Sequence, residues 1–153
     1  MIKKLTIRRE QPGEEKKIHA LVEEAFATAE HSDGNEQDLV DALRRSSAWI
    51  PELSLVAEAD GHFAGHVLFT RAEVSGRTAL ALAPLSVLPA FQRQGIGTAL
   101  VREGHRIAKD LGYSWSVVLG SGEYYGRLGY RPARTFGILP PFDVPDAKFL
   151  VNR

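Results

Sequence analysis

Apolar and polar positions alternate along this chain with two periods, and the changes of period mark out its elements. Leu5 and Ile7 alternate with Thr6 and Arg8, the two-residue period of a strand with one buried face. Gln11, Pro12 and Gly13 break that strand, and Pro12 is expected in the first turn of the helix that follows. Ile18, Leu21, Val22, Ala25 and Phe26 recur at helical spacing. A polar stretch over residues 27–35 reads as a loop, and a second helix over about 36–46 carries Leu39, Val40 and Leu43. Residues 54–59 read as a strand, Asp60-Gly61 as a hairpin turn, and residues 63–71 as the returning strand. After a turn at Ser75, Gly76 and Arg77, residues 78–88 are nearly all apolar, the pattern of a strand buried on both faces. Pro84 cannot donate to a ladder, so a bulge or a locally unpaired stretch is expected there.

A long helix is predicted over about 95–111, with Ile96, Leu100, Ile107, Ala108 and Leu111 on one face and Arg102, Glu103, Arg106 and Lys109 toward water. Gly112 is its stop signal. Residues 114–119 form another apolar strand. A short helix over 123–128 follows, with Ser121 as its N-cap and Gly129 at its end. A last strand is expected over 148–151. Neither a repeat nor a linker interrupts this order, so residues 1–153 are expected to form a single domain.

The chemically loaded stretch is the turn Gln92-Arg93-Gln94-Gly95-Ile96-Gly97, between the buried strand and the long helix. Two glycines let the backbone bend tightly and leave N–H groups bare. The helix that starts there points unpaired donors and its positive dipole end outward, which favours an anion such as a pyrophosphate. Arg93 adds a fixed charge. A P-loop would need Lys-Ser or Lys-Thr after its last glycine, where Thr98 stands. A dinucleotide fingerprint would need Gly or Ala at Leu100. Both of those nucleotide readings fail at named positions.

Composition narrows the classes further. The 153 residues are 44% apolar and 25% charged, with 19 basic and 19 acidic side chains, so the formal net charge is zero. That balance argues against nucleic acid as a partner. The absence of cysteine removes disulfides, thiolate metal sites and cysteine nucleophiles, and fits a cytoplasmic location. The basic start at Lys3 and Lys4 lacks a following apolar stretch, because Arg8, Arg9 and Glu10 intervene. No run is long enough to cross a bilayer, so no membrane partner is expected.

The pattern Gln92-x-x-Gly95-x-Gly97, after a strand and Leu88-Pro89 and before a long helix, resembles the acetyl-CoA pyrophosphate loop of the GNAT superfamily of N-acetyltransferases. Tyr125-Gly126-Arg127-Leu128-Gly129-Tyr130 resembles that superfamily's Tyr-x-x-x-Gly-Phe helix, with Tyr130 in place of Phe. The order of elements matches over nearly the whole chain, most closely over residues 82–131, and the wording is similar to the YhbS-type branch.

The resemblance implies an α/β (α+β) fold. Its sheet is mixed and mostly antiparallel, of six or seven strands, splayed at the centre, with about four helices. It implies acetyl-CoA as acyl donor. Pantetheine would lie along Leu85, Ser86 and Val87, and pyrophosphate would lie on the N–H groups of Arg93, Gln94, Gly95, Ile96, Gly97 and Thr98, with Ser121 and Tyr125 also at the cofactor. Tyr125 would be the general acid for the departing thiolate. Tyr124, or a packing role for both rings, are the alternatives. Many relatives carry a glutamate on the central strand, and residues 78–88 hold none, which leaves Glu36, Glu58 and His66 as candidate bases through a water chain. No metal is implied, and His62 and His66 do not share a helical face. The expected activity is acetyl transfer to a primary amine of a small molecule or a protein, by direct attack in a ternary complex. The alternative is a non-catalytic acyl-CoA sensor. Edge strands leave room for a homodimer.

Overall fold

The structure is a computed structural model and describes residues 2–28, 34–138 and 148–152. Among these residues seven strands form one sheet in the order β1-β2-β3-β4-β5-β7-β6. In chain order the elements are β1 (Leu5–Arg9), α1 (Glu15–Phe26), α2 (Glu36–Arg44), β2 (Ser54–Ala59), β3 (His62–Val74), β4 (Arg77–Val87), α3 (Ile96–Asp110), β5 (Ser116–Leu119), α4 (Gly122–Gly126), β6 (Arg131–Pro132) and β7 (Phe149–Asn152). All strand pairs are antiparallel except β4 with β5. The expected fold class, strand number and helix number are therefore those observed.

Period-two alternation divides the core between the two faces of the sheet. Leu55, Ala57, Val67, Phe69, Leu80 and Leu82 pack on one face with Ile96, Leu100 and Val101 of α3. Val56 and Leu68 pack on the other with Ile18, Leu21 and Val22 of α1 and Val40 of α2. A third cluster joins Val74, Ala79, Val117, Phe149 and Val151 at the β5–β7 side. Helix α3 approaches β3 so closely that a Cβ on Gly104 would stand 2.1 Å from the Phe69 ring, so only glycine fits that crossing.

Three local expectations need correction. Pro12 lies outside α1, which begins at Glu15. The turn before it is closed by Glu14, whose carboxylate accepts from the Gln11 N–H (2.7 Å) and from Arg8. Leu111 is the C-cap of α3 and is 40% exposed, so it does not join the buried stripe of that helix. Strand β5 starts at Ser116, two residues later than the apolar run suggests. The break expected at Pro84 is present: the register between β3 and β4 shifts between Val67 and Phe69, opposite Leu82 and Leu85.

Candidate active site

Strand β4 is paired unequally on its two edges. Strand β3 pairs it from Val74↔Arg77 to Gly65↔Val87. Strand β5 pairs it only at Leu80↔Ser116 and Ala81↔Val117. Beyond Ala81 the two strands part, and the β4 edge from Leu82 to Val87 faces a gap instead of β5. Leu119, at the end of β5, is 49% exposed. Unpaired strand edges offer N–H and C=O groups to an extended ligand.

The chain leaves β4 through a single turn at Pro89–Phe91 and reaches α3 through the glycine turn. The Gln92 amide donates to the Val87 carbonyl (3.0 Å), tying the loop to the strand end. Arg93 has φ +63° and Gly95 φ +84°, which turns the backbone so that Gly95 serves as the N-cap of α3. No side chain caps that helix, so its first N–H groups and its positive dipole end are available. A cavity of about 270 Å³ opens there, bounded by Leu85 and Val87 of β4, Gln92, Arg93, Gly95, Ile96, Gly97 and Thr98 of the turn, and Tyr124. Of the expected cofactor-site residues, seven thus surround one cavity, whereas Ser86, Gln94, Ser121 and Tyr125 are not part of its wall. Ser86 is buried on the α1 face.

Helix α4 carries two phenols, of which Tyr124 lines the cavity. Ser121 caps it as expected, accepting from the Tyr124 N–H (3.2 Å). Tyr124 stands over the glycine turn: a Cβ on Gly97 would meet its hydroxyl oxygen at 2.6 Å. Tyr125 packs edge-on between Tyr124 (5.0 Å between centroids) and Tyr130 (5.6 Å). Burial, with the neighbouring Tyr124, pushes the Tyr125 phenol up to about 12, so it holds its proton at neutral pH. Tyr130 is fixed by Ser116 Oγ (2.6 Å) and His105 Nε2 (2.9 Å) and supports Tyr125 from below.

The candidate bases separate clearly. Glu58 is engaged by Arg8 (2.7 Å), which also binds Glu14. Glu36 opens α2 and is half-buried. His66 is wholly buried on β3 and meets Ser54 Oγ through Nε2 (2.9 Å). Burial, aided by Arg44, lowers its pKa to about 3. Among the described residues His19, Asp38 and Asp41 have ligand atoms within 4.8 Å of one another, on α1 and α2 and not at the glycine turn. The pattern reading missed the Gln92–Val87 clamp and the polar string Glu10–Ser54–His66. Only Ser54 and His66, polar residues in otherwise apolar strands, hinted at the string.

The model of the Acetyltransferase (GNAT) family matches residues 17–130. The chain is 38% identical over 116 residues to the uncharacterised N-acetyltransferase YjhQ of Escherichia coli K12, covering 72% of this chain and 64% of YjhQ. It is 32% identical over 152 residues to the uncharacterised N-acetyltransferase YhbS of the same strain, covering 97% of this chain and 87% of YhbS. The crystal structure of Escherichia coli YhbS with CoA superposes with a TM-score of 0.88 at 29% identity, covering 100% of this chain and 82% of that one. A GNAT family acetyltransferase from Brucella melitensis in complex with acetyl-CoA gives 0.78 at 36% identity, covering 95% and 94%. A family match over most of the chain, agreeing with the parted strands and the glycine turn, means that this protein belongs to the GNAT family of acetyltransferases.

Proposed function

We propose that the protein binds acetyl-CoA in the gap between β4 and β5 and transfers the acetyl group to a primary amine. The observation that carries this is the coincidence of an unpaired strand edge and an uncapped helix start on one cavity. The strand edge suits pantetheine, whose amides alternate much as a strand's do. The N–H groups of residues 93–98, with the Arg93 charge, suit pyrophosphate. The complexes of the two relatives with acetyl-CoA and CoA support the same ligand.

In this reading the amine attacks the thioester carbonyl directly, within a ternary complex. A backbone N–H of β4 near Leu85 to Val87 stabilises the developing oxyanion. Tyr125, kept protonated by burial, donates to the departing thiolate. Tyr124 stands nearer the glycine turn and is the alternative donor. No step in this scheme calls for a metal.

Calorimetry with acetyl-CoA, followed by acetylation of a broad panel of amines, tests the reading. Binding in the micromolar range should vanish in Gly97→Glu, whose carboxylate would occupy the anion site, with the fold retained by circular dichroism. Unchanged affinity in that variant would remove the glycine turn from the site. Tight binding without acetylation of any amine would leave an acyl-CoA sensor.

A further inference from the structure

Gly120 follows the last residue of β5 and lies against the ring of Tyr125. A Cβ placed on it would stand 2.6 Å from Tyr125 Cε2, 3.1 Å from Cδ2 and 3.8 Å from Cζ, the carbon that bears the hydroxyl. The backbone of Gly120 does not itself call for glycine. Its φ lies outside the left-handed region that the turn glycines Gly95, Gly112 and Gly129 adopt. What calls for glycine is the phenol ring, at the edge that flanks its hydroxyl.

The ring is hemmed on its other sides. Tyr124 meets it at 5.0 Å between centroids with the planes at 90°, and Tyr130 at 5.6 Å and 74°. Tyr130 is anchored in turn, since its hydroxyl meets Ser116 Oγ and His105 Nε2 and its N–H donates to the Tyr125 carbonyl (3.1 Å). The chain beneath the ring is tied as well. The Gly120 N–H donates to the Lys148 carbonyl (3.0 Å), joining the end of β5 to the chain entering β7. Ser121 takes the Tyr125 N–H on its carbonyl (3.0 Å) and the Tyr124 N–H on its hydroxyl (3.2 Å). Non-bonded carbons rest about 3.5–4.0 Å apart. A methyl group at position 120 would therefore displace the Tyr125 ring by about 1 Å, because the backbone on either side is held.

We infer that Gly120 is a positioning residue for Tyr125: by carrying no side chain at the end of β5, it sets where the phenol hydroxyl stands. The inference rests on the reading of Tyr125 as the acid for the departing thiolate. In that step the Tyr125 O–H bond breaks and the thiolate becomes the thiol of CoA. The phenolate is reprotonated by the proton that the attacking nitrogen gives up to water. An acid must lie within hydrogen-bond reach of the atom it serves. A misplacement of about 1 Å at a reacting group costs on the order of 10²-fold in rate. Gly126, one position beyond Tyr125, differs: a Cβ there would meet nothing within 4 Å.

Steady-state kinetics with an accepted amine, on variants in two backgrounds, test the inference. Gly120→Ala should lower kcat about 10–100-fold, with acetyl-CoA affinity by calorimetry within about threefold of wild type. Gly126→Ala should keep kcat within about twofold. In a Tyr125→Phe background, where the hydroxyl is gone and the ring remains, Gly120→Ala should lower kcat by less than about threefold further. An equal loss in both backgrounds would mark a packing role for Gly120 and overturn the inference, while leaving Tyr125 as the acid. A Tyr125→Phe variant with wild-type turnover would instead remove the acid reading, and the positioning role with it. Should Gly120→Ala not fold, the double variant with Tyr125→Leu replaces it. Folding restored by removal of the ring supports the notch, and a double variant that still does not fold assigns Gly120 to the backbone and overturns it.

Discussion

The Tyr124 hydroxyl occupies the space that any side chain at Gly97 would need: a Cβ there would stand 2.6 Å from the phenol oxygen and 3.8 Å from the ring carbon that bears it. The second glycine of the turn thus does more than bare its N–H. It makes room for Tyr124 and so couples the glycine turn to α4, the helix that carries both phenols.

That coupling is measurable. Gly97→Ala alone should destabilise the protein by about 1–3 kcal/mol, the usual cost of overpacking a formed contact. Tyr124→Phe removes the clashing oxygen, so the double variant should recover most of the loss. Urea unfolding of the two single variants and the double gives the interaction energy. Strictly additive losses would mean that the two residues do not meet.

A second prediction concerns acid stability. Glu14 joins the end of β1 to the start of α1 by accepting from Arg8 and from the Gln11 N–H. The Arg8 hydrogen bond, opposed by burial, holds its pKa down at about 2, against 4.5 for the free side chain. A folded pKa below the unfolded one means stability that is complete above about pH 4.5 and lost as pH falls toward 2. Glu14→Gln should therefore cost about 1–3 kcal/mol at pH 7 and little at pH 2. Denaturant midpoints of both proteins across pH 2–7 check this. A constant difference over that range would assign the effect to packing.

The parts of the fold that were legible in the chain are those governed by local periodicity. Ile18, Leu21, Val22 and Ala25 form the buried stripe of α1 as their spacing requires. Residues 92–97 place a glycine with positive φ at the N-cap of α3, and Ser121 caps α4 through its hydroxyl. What spacing could not show depends on partners distant in sequence. Leu111 looks buried by helical period, but it caps the helix and is exposed. Pro12 fits a first helical turn, but Glu14 and Arg8 close the turn differently. His66 and Ser86 are 20 positions apart and become neighbours only through the β3–β4 register. The polar loop expected over residues 27–35 falls partly outside the described residues.

The last prediction separates the two phenols, and with them the enzyme from the sensor. Tyr125 has the position of the family's acid in the sequence, four residues before Gly129. Tyr124 has the position at the wall of the cavity. The rings touch edge to face, so either substitution disturbs the packing of the other only slightly if the ring is kept. Tyr125→Phe deletes one hydroxyl and leaves the stack on Tyr130 in place. If Tyr125 supplies the thiolate's proton, acetyl-CoA affinity should change by less than about threefold and kcat should fall roughly 10²–10⁴-fold. Tyr124→Phe should then lower kcat far less, its effect falling on binding at the glycine turn. The opposite ranking would move the acid role to Tyr124, whose hydroxyl already stands at Gly97. Steady-state kinetics with any accepted amine, and calorimetry with acetyl-CoA on both variants, give all four numbers. If both variants keep wild-type turnover, neither phenol donates the proton, and water in the gap must protonate the thiolate.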